Sequence, residues 1–538
     1  MRFLDKEHFT PHFFSDKRQG TVTGAVATLL GTLLGKNYFN CGGVLSLPFA
    51  LRKSGIVLGA VLLVATAVAT DFTLFTLVSC SRRSGGSTYE SVAKVAFGKH
   101  AKLLCMGLVI CVTYLPLVGY TILLRDLMAP VAEIILGRTL DGMARNLMVS
   151  ALVVVIAPAC MLRTLSALRH LSFCSVIAVT LLTVFIGIRS TECVASNGLP
   201  TKAMNLWPEG GWTGALQAIP IYICAFGCHV NVLPVHGELV KPTRERLHRF
   251  VHWTIGPVTA FYFLVMTLGY TYGACTGDVS DNILNDFGAD DTLMNIGRVG
   301  LAVTLLVSFP LLTVPLIATL VRAHREIAGV DTRSKKPLLH VETAAAAAAA
   351  AGLGNGSGGV WPPPRSWREN GPDSDDIMSL EAPLLAPSAP PMLVASDSDD
   401  CFLDDAINES SLNGGTERTA GAGPEDAAVE ISLKTRAWLT LAILSSELLV
   451  AFNISMVTDV WGFLGSTANV LIAFTLPCAA YLKIRLYLPR RREKQGGPLY
   501  KKWVAGALTV VSVVAAVVCT ANNFYLISIR NQAEEDGP

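Results

Sequence analysis

Two stretches decide the fold: Asn37-Tyr-Phe-Asn-Cys-Gly-Gly-Val-Leu-Ser-Leu-Pro48 and Pro220-Ile-Tyr-Ile-Cys-Ala-Phe-Gly-Cys-His-Val-Asn-Val-Leu-Pro234. Each lies inside an apolar run long enough to cross a membrane, and each gathers glycine and proline there. Those residues cost a helix its backbone hydrogen bonds, which lipid cannot replace. Such a cluster therefore predicts an unwound stretch facing a cavity. Both clusters are followed by Val-Leu or Leu and a proline, and they open two consecutive blocks of five apolar runs. Paired interruptions at matching positions of two halves point to a midplane binding site between inverted repeats. Five is odd, so the second block must enter the membrane from the other side.

Working outward, the 538 residues are 51% hydrophobic and 16% charged, with a mean hydropathy of +0.47. A water-soluble chain of this length cannot bury so much apolar material with so few surface charges. The apolar runs are 23–49, 56–80, 103–124, 146–162, 171–188, 213–235, 251–272, 296–321, 437–453, 457–481 and 503–526. Each can cross the hydrocarbon as a helix, the open-chain form that satisfies its own backbone there. The expected fold class is an all-α polytopic membrane protein of about 11 transmembrane helices. Around them lie a 1–22 cytoplasmic tail, spans one to eight in 23–321, a loop at 322–436, spans nine to eleven in 437–526, and a 527–538 outer or lumenal tail.

Charge sets the orientation. One set of connections holds twenty-two Lys and Arg, among them Arg82, Arg83, Lys241, Arg244 and the run Arg490, Arg491, Arg492; the opposite set holds nine. The N-terminus is thus expected in the cytoplasm, with no cleavable signal peptide. The 322–436 segment carries an alanine run, a Gly/Ser stretch and acidic patches, and reads as a disordered cytoplasmic loop. Its sequons, Asn355-Gly-Ser and Asn408-Glu-Ser, should then be unmodified.

The breaks carry the chemistry. An interrupted helix frees N–H groups at one new end and C=O groups at the other. Amides near Gly42 and Gly43 attract a carboxylate, and carbonyls near Phe226 to Cys228 suit an ammonium or a small cation. Together they match a zwitterion. The plainer reading is that Gly42, Gly43 and Gly227 serve close helix packing while the prolines kink.

Both stretches resemble the amino acid/auxin permease family, and within it the sodium-coupled neutral amino acid transporter branch. Cys41-Gly-Gly-Val-Leu-Ser-Leu-Pro-Phe-Ala50 is similar to the branch motif Gly-x-Gly-Ile-Leu-Gly-Leu-Pro-Tyr-Ala. Phe226-Gly-Cys-His-Val-Asn-Val-Leu-Pro-Val-His-Gly-Glu-Leu239 resembles Phe-x-Cys-His-x-x-x-Leu-Pro-Ile-Tyr-x-Glu-Leu. In span ten, Gly462-Phe-Leu-Gly-Ser-Thr-Ala-Asn469, Pro477 and Tyr481-Leu-Lys483 also fit. The resemblance implies a LeuT-type 5+5 inverted repeat plus one extra helix, with substrate held between spans one and six. The substrate residues it implies are Cys41, Gly42, Gly43, Phe226, Gly227, Cys228 and His229. It places a candidate sodium site on Asn37 and Ser308, whose oxygens suit a hard cation. Two departures matter: Cys41 replaces a motif glycine, and Lys36 puts a charge beside Asn37. A lysine near the bilayer centre costs roughly 2.5–3.5 kcal/mol on the insertion scale. Related transporters bridge their outer loops, and here Cys193 and Cys275 are the two outer cysteines that a bridge would join in an oxidising compartment.

Asp71, His229 and Glu447 are ionisable groups inside apolar runs, and so functional candidates; a buried structural hydrogen bond is the plainer role. Glu238 and Lys241 read either as a gate or as a solvated helix end. No nucleophile–base pair, Cys/His metal spacing or cofactor motif stands out, so an enzyme is not expected. The leading expectation is a secondary active transporter of amino acids, working by alternating access and coupled to a cation gradient of sodium or protons. Its partners are then a small-molecule amino acid and membrane lipids, with no nucleic acid and no protein partner named by the sequence. An amino-acid sensor signalling through the 322–436 loop is the alternative. The plasma membrane and a lysosome-like or vacuole-like membrane both fit.

Overall fold

The structure is a computed structural model, and it describes residue 26 and residues 40–161, 171–200, 203–239, 244–277, 279–329, 432–487 and 499–535. Readings that fall on Lys36, Asn37, Lys241, the first 22 residues and most of 322–436 lie outside them, as do the side chains of Cys41, Gly42 and Glu238. The described residues belong to one compact unit.

The described part of span one is α1 (Asn40–Leu45) and α2 (Leu47–Ser54). Spans two to five are α3 (Ile56–Ser84), α5 (Lys99–Leu136), α6 (Gly142–Cys160) and α7 (Leu171–Asn197), with the short α4 (Tyr89–Phe97) between the first two of these. Span six is split into α8 (Trp212–Ala225) and α9 (His229–Glu238); α10 (Arg244–Thr276), α11 (Thr292–Ile327) and α12 (Leu433–Phe452) follow. Span ten consists of α13 (Val457–Leu464), π-helical turns at Gly465–Asn469 and Leu471–Thr475, and α14 (Leu476–Tyr487); α15 (Leu499–Glu535) is last. Ten of these spans are long and apolar enough to cross a membrane. The all-α, many-span expectation therefore holds. Several helices outrun the apolar windows; α11 continues past residue 321 to Ile327 because its polar last turn stays helical beyond the apolar stretch.

Burial sorts the spans into a core and a surround. The most apolar windows of spans six, eight and ten are 78%, 67% and 67% buried, against 17% for the last span. The surround exposes apolar side chains such as Val64, Val68, Val154, Val155 and Val517, a surface that only lipid would match. Tryptophans mark the two edges. Trp253, Trp438 and Trp503 stand exposed where their spans start on the side of the basic connections; Trp207 and Trp212 do so on the opposite side. Exposed aromatic rings at both ends of the spans are the belt that membrane proteins place at the headgroups.

Local chemistry fixes the turns. Asp141 and Asp291 cap α6 and α11 by accepting the amides of Ala144 and Met294, while Thr88 and Ser91 form a capping box on α4. Gly55, between α2 and α3, has φ +73°, and a Cβ there would lie 2.5 Å from the Trp207 carbonyl carbon. Both the left-handed turn and the close approach require glycine. Gly269 of α10 likewise leaves room for Pro48, whose Cγ would sit 2.4 Å from an added Cβ.

Candidate functional site

Span one breaks at Ser46, not at the paired glycines. Gly42 and Gly43 lie inside the helical turn α1, and Ser46 is a non-helical turn residue between α1 and α2. Proline explains the shift. Pro48 has no N–H to give to the carbonyl one turn earlier, at Val44, and its ring crowds that carbonyl. The Ser46 amide turns back to Gly43 O at 3.2 Å instead. The Ser46 hydroxyl is fully buried and has no partner among the described residues.

Span six breaks where the glycine predicted it, at Phe226, Gly227 and Cys228. Ending α8 early frees the carbonyls of its last turn, and two distant side chains take them up. Asn469, in the first π-turn of span ten, donates to Ile223 O at 3.1 Å. Tyr262 of α10 donates to Ala225 O at 3.0 Å. Within the break, the Cys228 amide donates to Phe226 O at 2.9 Å and the Asn231 amide to Cys228 O at 3.0 Å. The expected row of open carbonyls from Phe226 to Cys228 is therefore largely engaged locally. Only the Gly227 carbonyl in that break accepts no hydrogen bond from the described residues. At the other end, α9 starts with no side-chain cap, which leaves the His229 and Val230 amides and the positive helix end toward the break.

The turn α1 lies beside the end of α8: a Cβ added at Gly43 would be in ordinary contact with the Ala225 Cα, at 4.0 Å. Gly227 faces Asn469, whose Nδ2 and Oδ1 would be 2.8 and 3.0 Å from a Cβ on residue 227. Of the sequence candidates, the structure thus brings together Gly43 and the Ala225–Gly227 turn. Large buried rings close the surroundings: Phe226 packs edge-on against Tyr262, and Tyr120 lies between Phe309 and Trp461. The indole nitrogen of Trp461 is buried without a partner among the described residues.

The remaining candidates are spread through the bundle. Ser308 is buried in α11 and donates to Thr304 O at 2.9 Å; its expected partner Asn37 lies outside the described residues. His229 is buried against Thr73 of α3, with Nε2 2.8 Å from the hydroxyl, and its Nδ1 has no partner among the described residues. Glu447 of α12 is fully buried and accepts a 2.6 Å hydrogen bond from Thr121. Asp71 does not point into the core: it pairs with His252, 59% exposed, at 2.6 Å. Cys193 and Cys275 are joined as a disulfide, Cα atoms 6.4 Å apart.

Opposite the basic connections, span one is tied shut. Arg52 and Lys53 both reach Glu209, at 3.1 and 3.3 Å, and the Glu209 amide returns to Lys53 O. Arg189 holds Asp291 through two hydrogen bonds of 2.7 and 2.8 Å. Burial tends to raise the Asp291 carboxyl pKa, but those bonds and the Met294 and Leu293 amides outweigh it and hold the group below the ordinary carboxylate range.

Sequence reasoning missed Ser46, Tyr262, Asn469, Tyr120 and Trp461. Asn469 was visible as the last residue of a quoted motif. Ser46 likewise lies in a quoted motif, two residues before the proline that decides the break; Tyr262, Tyr120 and Trp461 carry no local signal, because their roles depend on partners far along the chain.

The chain is similar to three known proteins. It is 27% identical over 296 residues to "Putative sodium-coupled neutral amino acid transporter 11" of Mus musculus, covering 54% of this chain and 63% of that one. It is 26% identical over 351 residues to "Putative amino acid transporter AAT1" of Toxoplasma gondii, covering 61% and 46%. Mouse "Solute carrier family 38 member 10" matches at 26% over 307 residues, 56% of this chain and 26% of that one. The chain spans less than two thirds of the length of these relatives. Among solved structures, Mhp1, a nucleobase-cation-symport-1 family transporter with bromovinylhydantoin bound, aligns with a TM-score of 0.49 at 11% identity, covering 97% of this chain and 96% of that one. MhsT in complex with L-phenylalanine aligns at 0.46 and 11%, covering 95% and 100%. Residues 18–524 match the family described as transmembrane amino acid transporter protein, so the chain belongs to that family and is a multi-pass membrane protein.

Proposed function

We propose that this chain is a secondary active transporter that carries amino acids across a membrane by alternating access, on a LeuT-type 5+5 inverted repeat. The break in span six carries the reading. Its freed carbonyls at Ile223 and Ala225 are held by Asn469 and Tyr262, so the helix stays open at low cost in unsatisfied backbone. The uncapped start of α9 then faces a carboxylate, and the Gly227 carbonyl faces an ammonium. Gly43 brings span one against the same turn, which completes a site for a zwitterion between the two spans. The relatives' names, which speak of amino acid transport, agree with this cargo.

A cation gradient, sodium or proton, supplies the driving force. Ser308 gives its proton to Thr304 O, which leaves its oxygen lone pairs free for a hard cation; Asn37 is the second ligand of this proposed sodium site. We place the N-terminus in the cytoplasm, from the excess of basic residues on that side, and the protein in the plasma membrane or a lysosome-like membrane. The sensor alternative rests on the 322–436 loop, most of which lies outside the described residues.

The test is uptake of labelled amino acids into proteoliposomes, with sodium, pH and membrane potential varied independently. Saturable uptake of one or more amino acids supports the reading. No uptake by any member of a broad panel, from protein that elutes as a sharp monodisperse peak, contradicts it. Asn37→Ala should remove sodium stimulation; unchanged stimulation would reject the sodium site.

A further inference from the structure

We propose that a cavity on the side of the basic connections is a second station for the amino acid, which binds the ammonium and carboxylate common to every α-amino acid. This inference rests on the amino-acid cargo proposed above. The cavity holds about 240 Å³ and is walled by α4, α5, α9 and α11. It is not the midplane site: α4 belongs to the connection between spans two and three, and the cavity meets α9 beyond its first residue, at Val230 and Asn231.

Its polar groups are arranged for a ligand with both charges. Glu90 of α4 is buried, 5% exposed, and lies across the cavity wall from Arg322 of α11. Their contact is 3.4 Å, long for a charge-assisted hydrogen bond. Arg322 donates once more, to Thr319 at 3.1 Å, yet its Nε is buried with no partner among the described residues. The side-chain amide nitrogen of Asn231, another wall residue, is in the same condition. Buried donors without acceptors are costly, and both of these belong to residues that line this cavity.

A carboxylate would satisfy both donors, since the planar fork of arginine accepts it side-on and the Asn231 amide adds a third bond. The ammonium then goes to Glu90. Thr113 assists it: its proton is spent on Val109 O at 2.8 Å, so its oxygen is an acceptor only, whereas the Thr319 oxygen already accepts from Arg322. Such contacts engage the amino acid backbone, and selection by side chain is left to the midplane site. The station would hold the cargo between the midplane and the water on that side.

Ser87 lies exposed on the cavity wall, which makes Ser87→Cys a reporter in full-length protein whose other accessible cysteines are replaced by serine. The reagent is a charged methanethiosulfonate, and the probe is L-alanine at about 10 mM, enough to fill a millimolar site. L-Alanine should slow labelling by about threefold or more, which is the protection expected at high occupancy. Propionate and L-alaninamide, each with one charge, should not. Arg322→Gln and Glu90→Gln should each abolish the protection, while the panel's transported amino acid still raises the melting temperature of both variants through the midplane site. If the wild type takes up amino acids but Ser87→Cys is not protected, the station is wrong and the transport reading stands. Protection that persists in both variants also overturns it. If no amino acid is transported by well-folded protein, both readings fall.

Discussion

At the scale of single residues, Gly227 is the position on which the site turns. Its backbone forms the break, and its missing side chain admits Asn469. A methyl group there would meet Asn469 Nδ2 at 2.8 Å and Cys224 O at 3.1 Å. Cys224 O is backbone and cannot give, so Asn469 must move and release Ile223 O. Overpacking of this kind costs about 1–3 kcal/mol, so we expect Gly227→Ala to lower the melting temperature modestly and uptake by roughly tenfold or more, measured on protein that still elutes as a sharp monodisperse peak. Uptake equal to wild type would show that the break is not part of the transport site. The glycine was legible in the sequence because it falls in a glycine and proline cluster that opens the second block of five apolar runs. Asn469 was legible only as a motif letter, since its role is a contact across 246 residues of chain.

At the scale of elements, the two broken spans were legible and the position of one break was not. Glycines drew attention to Gly42 and Gly43, but a helix tolerates glycine more readily than it tolerates proline. Pro48 therefore decided the matter, one turn downstream. The π-turns of span ten left no readable signature, because they arise from close packing: a Cβ at Gly465 would lie 2.1 Å from Pro220 O. These turns present Asn469 to span six. Asn469→Ala and Tyr262→Phe each leave one freed carbonyl of α8 unpaired, a loss of about 1 kcal/mol apiece. Both sit on one break, so their effects on melting temperature should not simply add. Additive shifts would indicate that the two bonds stabilise separate features.

The tie between α7 and α11 has a defined pH response. Asp291 titrates below the ordinary carboxylate value of about 3.9, so its bond to Arg189 stabilises the fold above that value and is lost as pH falls through the lower, native one. We expect Arg189→Gln to reduce the melting temperature equally at about pH 7 and pH 5, with the difference from wild type shrinking only as pH falls below the ordinary carboxylate value of about 3.9. A difference that already disappears at about pH 5 would place the Asp291 carboxyl above the ordinary range.

At the scale of the whole molecule, ten described spans long and apolar enough to cross a membrane, exposed valines and exposed tryptophans at both ends agree with a multi-pass membrane protein. Most of this was legible, because apolar length and charge bias are properties of segments and need no knowledge of packing. The path through the protein was not, because Glu90, Asn231 and Arg322 come from three separate regions and meet only when the bundle forms. The central claim is that the broken spans one and six carry an amino acid across the membrane. Counterflow tests it most directly: proteoliposomes loaded with an unlabelled amino acid, without any ion gradient, are diluted into trace labelled amino acid. The account predicts transient accumulation of label with the wild type and none with Gly227→Ala. A well-folded wild type that binds amino acids, seen as a raised melting temperature, yet shows no counterflow with any of them would contradict it.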